Sequence, residues 1–121
     1  MYIDVKERLS GIFAPVVTPF DGDGEVVFDA LERNINKLNK SPLRGYFVLG
    51  TNGEFRSLTS EEKIRVVETV TKVAREKVII AGASCESTFE TIRFAQKFCE
   101  LGVDFISLMP PSFFARKMND D

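Results

Sequence analysis

The sequence predicts an α/β fold built on a parallel sheet, and three observations predict it. Four short runs, Ile12–Val17, Tyr46–Leu49, Val78–Ala81 and Phe105–Met109, are apolar on consecutive residues instead of alternating, the pattern of strands covered on both faces. The three segments between them repeat their apolar residues with the period of a helix. Successive runs begin about 27 to 34 residues apart, room for the strand, helix and connections of a parallel crossover.

Each element has its own justification. In the first helical segment Phe28, Leu31, Ile35 and Leu38 form one apolar stripe, while Glu32, Arg33 and Lys37 occupy other faces. The second opens on Thr59-Ser60-Glu61-Glu62, a capping-box pattern in which the Glu62 carboxylate can reach back to the amide of residue 59. Its stripe is Ile64, Val67, Val70 and Val73. The third repeats the cap as Ser87-Thr88-Phe89-Glu90, runs through Ile92, Ala95, Phe98 and Leu101, and meets Gly102 as a helix-ending glycine. The tail from Pro110 to Asp121 contains Pro-Pro and closes on Met118-Asn119-Asp120-Asp121, a helix-capping pattern.

Composition narrows the function. With 121 residues, 44% of them hydrophobic and 28% charged, the chain is of ordinary globular make-up and of a size for one domain or part of one. Sixteen basic against eighteen acidic side chains leave a formal charge of −2 and no basic stripe, which argues against nucleic acid or an anionic membrane as partner. No apolar run approaches the roughly 18 residues of a membrane span, and the N-terminus has no apolar signal core, so a cytoplasmic location is expected. Cys85 and Cys99 are read as free thiols. Histidine is absent, which removes Ser-His-Asp and Cys-His catalysis and disfavours zinc; no metal or cofactor is expected.

The topology alone admits an open doubly wound sheet or part of a (β/α)8 barrel. The turn after the first strand, Thr18-Pro19-Phe20-Asp21-Gly22-Asp23-Gly24, lacks both the dinucleotide-binding glycine pattern and a phosphate-loop lysine, which weakens the nucleotide-binding alternative. In barrels function gathers at the C-terminal strand ends, and the second of these reads Gly50-Thr51-Asn52-Gly53-Glu54. Glycines flanking Thr51 and Asn52 let the backbone turn sharply and offer N–H groups to a small anion, with the hydroxyl and the amide as further donors. The same residues also make an ordinary strand-to-helix turn, and taken alone they leave both readings open.

Four motifs in order carry a resemblance: Gly11-Ile-Phe-Ala-Pro-Val-Val-Thr-Pro-Phe20, Arg44-Gly-Tyr-Phe-Val-Leu-Gly-Thr-Asn-Gly-Glu-Phe55, the Leu58-Thr-Ser-Glu-Glu62 cap, and Gly102-Val-Asp104 leading to Pro110-Pro111. Together they resemble the dihydrodipicolinate synthase and N-acetylneuraminate lyase family of pyruvate-dependent class I aldolases. Gly50–Phe55 with Gly82–Thr88 looks most like its 4-hydroxy-2-oxoglutarate aldolase branch, since dihydrodipicolinate synthases more often carry threonine where this chain has Asn52. The resemblance implies the N-terminal half of a (β/α)8 barrel: one incomplete domain over residues 1–121, about four strands and three helices, ending after the fourth strand.

The resemblance also implies chemistry. A lysine amine condenses with the ketone of pyruvate, and the resulting Schiff base is the electron sink for making or breaking a bond. Thr51 and Asn52 match the positions that bind the pyruvate carboxylate, and Thr51 also matches the threonine that helps a tyrosine proton relay. A homo-oligomer acting on a small 2-oxo acid is implied too. The family's Schiff-base lysine and main catalytic tyrosine belong to its sixth and fifth strands, beyond the four read here. The chain's own lysines (Lys6, Lys37, Lys40, Lys63, Lys72, Lys77, Lys97 and Lys117) fall in helices, loops or termini, where water keeps an amine protonated. After the fourth strand Phe113 and Phe114 stand where dihydrodipicolinate synthases place a tyrosine reaching the next subunit. Cys85 reads as structural, because neither a histidine nor a helix-borne cation is apparent beside it, and Glu54 and Glu86 read as capping or hydrogen-bonding residues more than as an acid–base pair. The alternative to an enzyme segment is a half-barrel that oligomerises, or binds a 2-oxo acid, without turnover.

Overall fold

The computed structural model describes residues 4–112, so Phe113, Phe114, Lys117 and the capping pattern of the tail lie outside the described residues. Four strands form one sheet: β1 (Phe13–Pro15), β2 (Gly45–Val48), β3 (Val78–Gly82) and β4 (Phe105–Ser107). All neighbours are parallel and the spatial order is β1-β2-β3-β4. A doubly wound sheet reverses direction near its first strand; here every crossover returns to the adjacent strand in chain order, as around a barrel.

The helices that make the crossovers are α2 (Phe28–Leu38), α3 (Ser60–Val73) and α4 (Thr88–Glu100), preceded by a four-residue helical turn, α1 (Val5–Arg8). α3 begins where the sequence signal places it. The Thr59 hydroxyl accepts from the Glu62 amide at 3.2 Å and the Glu62 carboxylate accepts from the Thr59 amide at 2.7 Å, a complete capping box. At α4 Ser87 accepts from the Glu90 amide at 3.1 Å. The far end of α4 closes on Gly102 at φ +91°, with Val103 N–H donating to Phe98 O and Gly102 N–H to Cys99 O, which satisfies carbonyls the helix leaves open.

The core fills the space between the sheet and the helices. Tyr46 and Val48 of β2 and Ile79 and Ala81 of β3 pack with Leu31 and Ile35 of α2, Val66, Val67 and Val70 of α3, and Phe94 and Phe98 of α4. Asn39, just after α2, joins three elements: its amide donates to Val73 O at 2.7 Å and accepts the Tyr46 hydroxyl at 2.8 Å. Burial pushes that hydroxyl's pKa up.

Three expectations change. Strands covered on both faces were expected; instead the helix-facing residues are buried while Phe47, Ile80, Phe13 and Phe105 on the opposite face are half-buried, because residues 4–112 place no second layer there. On α4 the buried residue is Phe94, and Ile92 is 51% exposed; Phe94 and Phe98 are one helical turn apart and pack ring against ring, setting the inward face two positions away from Ile92. On α3 Val66 is buried in addition to Val67, since the helix lies between α2 and α4 and is covered on both flanks.

The α1 turn, unmarked by any apolar period, buries none of its residues. It is held at the N-terminal strand ends by an Arg8–Asp104 ion pair and by the Arg44 guanidinium, which donates to Arg8 O at 3.0 Å. Asp104 also accepts from the Ile79 amide at 2.8 Å. Thr59→Ala should lower stability by about 1 kcal/mol in urea unfolding, with Thr59→Ser retaining most of it; equal stability of all three proteins would show that the cap contributes nothing.

Candidate functional site

Parallel strands in sequential order bring four C-terminal ends to one edge of the sheet, and the most sharply turned of them follows β2. Val48 leads into Leu49, a buried residue in the left-handed region at φ +58°, an uncommon conformation for a bulky side chain. Gly50 is extended, and Thr51–Gly53 then form a single 3-10 turn closed by Gly53 N–H to Gly50 O and Glu54 N–H to Thr51 O, both at 3.0 Å. Glu54 is again left-handed, at φ +54°, and a second 3-10 turn, Phe55–Ser57, delivers the chain to the Thr59 cap.

This geometry leaves Thr51 and Asn52 exposed at the crest of the turn. Their two amides are the first of the 3-10 turn and so have no partner within it; among the described residues neither they nor the two side chains make a hydrogen bond. Two backbone N–H groups, a hydroxyl and a carboxamide are therefore free to bind a carboxylate. Behind Thr51 a cavity of about 50 Å³ is lined by Phe47, Leu49, Gly50, Ser84, Ser107 and Met109 among others. That is well below the roughly 300 Å³ of an enclosing small-molecule site, so this cavity does not by itself enclose a ligand.

The neighbouring strand ends pack beside this turn. The Ser84 hydroxyl accepts from the Met109 amide at 2.7 Å, joining the ends of β3 and β4. Glu86, expected as a hydrogen-bonding residue, gives its carboxylate to Ser112, accepting from the amide at 3.1 Å and from the hydroxyl at 2.6 Å. Arg56 reaches the same Ser112 hydroxyl at 3.2 Å. Beside these groups runs an open cleft of about 310 Å³, lined by Phe55, Arg56, Lys63, Cys85 and Glu90 among others.

The structure corrects the surroundings assumed for Cys85. A helix-borne cation does stand near it: the Lys63 ammonium, over the Phe55 and Phe94 rings at 5.9 and 5.5 Å, acts to lower the thiol's pKa. Burial outweighs this effect and pushes the thiol up, helped by Glu90 and Glu86, so the conclusion of an unreactive cysteine stands on a different balance of forces.

Apart from Lys63, which borders the cleft beside the ends of β3 and β4, the lysines within the described residues lie off the strand ends. Lys6, Lys37, Lys40, Lys72 and Lys97 are exposed, and Lys77 donates to Ser41 O and Leu43 O at 2.9 and 2.7 Å, at the opposite end of the sheet. No helix among the described residues is long and apolar enough to cross a membrane. The Glu86–Ser112 tie was not foreseen, because nothing in the order of residues shows that segments 26 positions apart meet.

Comparison with known proteins agrees with this arrangement. The profile of the dihydrodipicolinate synthetase family matches residues 8–120. A DapA-like lyase of Thermococcus onnurineus, itself uncharacterized, is 32% identical over 105 residues, 87% of this chain and 36% of its own. The 4-hydroxy-tetrahydrodipicolinate synthase of Methanococcus vannielii is 35% identical over 106 residues, with the same shares of the two chains. The crystal structure of a dihydrodipicolinate synthase from Rhodopseudomonas palustris superposes with a TM-score of 0.82 at 27% identity, over 86% of this chain and 35% of that one. The chain thus spans a little over a third of the length of the curated relatives it matches, and its fold is that of the N-terminal half of their (β/α)8 barrel.

At pH 8, iodoacetamide should alkylate exposed Cys99 several-fold faster than Cys85, as read by peptide mass spectrometry. Faster reaction at Cys85 would mean that Lys63 prevails over burial.

Proposed function

Since the chain belongs to the dihydrodipicolinate synthetase family, we propose that it supplies the carboxylate-binding wall of a pyruvate-dependent Schiff-base aldolase or lyase. One observation carries this reading: the crest of the β2 turn presents the Thr51 and Asn52 amides and side chains together, exposed and without partners among the described residues. A 2-oxo acid placed there sets its carboxylate against these donors and points its ketone over the strand ends. Fixing the carboxylate fixes the carbonyl carbon that an amine must approach, which is the entropic part of catalysis.

The chemistry at that carbon is condensation of a neutral amine with the ketone, releasing water and leaving an iminium that accepts the electron pair of the bond made or broken at the adjacent carbon. Lys63 borders the strand ends with its ammonium over the Phe55 and Phe94 rings; in this reading the Schiff-base amine comes instead from strands beyond the four, where the family resemblance places it. Thr51 has a second role: its hydroxyl both donates and accepts, so it can pass a proton between a neighbouring phenol and the substrate. The Gly-Thr-Asn-Gly-Glu-Phe sequence favours the 4-hydroxy-2-oxoglutarate aldolase type within the family. A cytoplasmic homo-oligomer forming a single incomplete barrel domain per chain completes the proposal.

A second reading is favoured by the half-buried apolar face of the sheet: a half-barrel that assembles through that face and binds a 2-oxo acid without turning it over. Borohydride trapping with pyruvate tests whether any of the chain's own amines supplies the Schiff base. For the 121-residue chain the expected result is reversible, millimolar-range binding that shifts the Thr51 and Asn52 amide resonances, with no stable mass increment after reduction. An increment mapped to any of the chain's own lysines would overturn the assignment of the amine to later strands. Thr51→Val and Asn52→Ala should each weaken binding about tenfold, and unchanged affinity in both would remove the carboxylate from this turn.

A further inference from the structure

Thr18 follows β1, 35 residues before the partner its side chain meets. Apart from Tyr46, it is the one buried polar residue among those described, only 7% exposed. Its hydroxyl donates to the Gly53 carbonyl at 2.6 Å, on the floor of the turn whose crest holds Thr51 and Asn52. The turn is pressed on that side: a Cβ built on Gly53 would lie 2.9 Å from the Val16 carbonyl oxygen, closer than real Cβ atoms come, so glycine is what allows the approach. On the other flank a Cβ on Gly82 would lie 2.5 Å from the Leu49 carbonyl oxygen. The turn therefore sits between β1 and β3 by close contact on both flanks, and on the β1 side a buried hydrogen bond sets its height.

We propose that Thr18 is a positioning residue for carboxylate recognition: by holding the Gly53 carbonyl down, it keeps the Thr51 and Asn52 amides pointing together at the crest. The inference rests on the proposed carboxylate site and adds to it a residue that never touches the ligand. The physical reason is directional. Rotation of the peptide units that frees the Gly53 carbonyl would swing the preceding N–H groups apart, and a buried carbonyl without its donor has reason to rotate toward water.

The test uses the 15N-labelled 121-residue chain and its Thr18→Val, Thr18→Ser and Gly53→Ala variants, with amide hydrogen exchange measured before pyruvate is titrated in. In Thr18→Val the Gly53 and Glu54 amides should exchange about tenfold faster while the β2 and β3 amides keep their protection, and pyruvate affinity should fall by a similar factor. Thr18→Ser, which keeps the hydroxyl, should restore both. Gly53→Ala should loosen the same two amides with Thr18 intact. Unchanged turn protection in Thr18→Val, equal loss in the valine and serine variants, or loss spread evenly through β2 and β3 would each overturn the proposal. So would failure of Thr18→Val to fold, since Thr18 would then be a structural residue. Absence of pyruvate binding by the unsubstituted chain would instead sink the proposed function, leaving the exchange data to decide Thr18's hold on the turn.

Discussion

The rest of the structure depends on β2 being held on both sides by parallel ladders. Gly45 to Val48 pair with β3 on one flank, and Gly45 to Phe47 pair with β1 on the other. A strand gripped in this way has no freedom to slide, because a one-residue slip would exchange its buried and half-buried faces. The chain leaving it is compressed into the space between the ends of β1 and β3. There the backbone is left-handed at Leu49 and again at Glu54, with a single 3-10 turn between. Residues in such regions persist when their surroundings over-determine them, and here the surroundings are the buried Leu49 side chain, the Thr18 hydroxyl and two carbonyls packed against glycines.

The two faces of the sheet have different duties. The helix face is dry and close-packed, and Tyr46, the largest buried side chain on it, has its polar end satisfied by Asn39. That face supplies rigidity. The opposite face is less covered, and the apolar residues most exposed outside the helices, Ile12, Val17, Leu108 and Met109, flank the two edge strands β1 and β4. In the relatives, which are about two and a half times as long, the same four strands are part of a closed barrel. The exposed Thr51-Asn52 crest at the strand ends and the half-buried face below it are two consequences of one arrangement.

Charge at the strand ends is arranged by geometry more than by number. Lys63 lies over two aromatic rings and beside the Cys85 thiol, yet the thiol's pKa is raised, because losing water costs a thiolate more than one half-buried cation returns. Glu86 turns toward Ser112, and Arg56 meets it there. The Glu86 carboxylate is thus engaged with Ser112, while the amides of Thr51 and Asn52 are open.

How much was legible in the sequence follows from the range of the forces involved. The parallel α/β class, the four strands, the three crossover helices, the Thr59 capping box and the helix-ending Gly102 were readable because each arises from residues a few positions apart: apolar period, a side chain reaching its own backbone, a glycine at positive φ. The Thr51-Asn52 turn was readable as a candidate from its flanking glycines and its place after a strand. What local pattern could not decide is which of two helical stripes faces inward, so Ile92 was expected where Phe94 packs; only contact with α3 and the sheet chooses between them. The half-buried inner face, the Lys63 environment of Cys85, the Glu86–Ser112 tie and the Thr18–Gly53 bond all join residues distant in the chain. They became determined only when the ladders brought four strand ends to one edge, since a hydrogen bond acts over about 3 Å and the sequence carries no record of that distance.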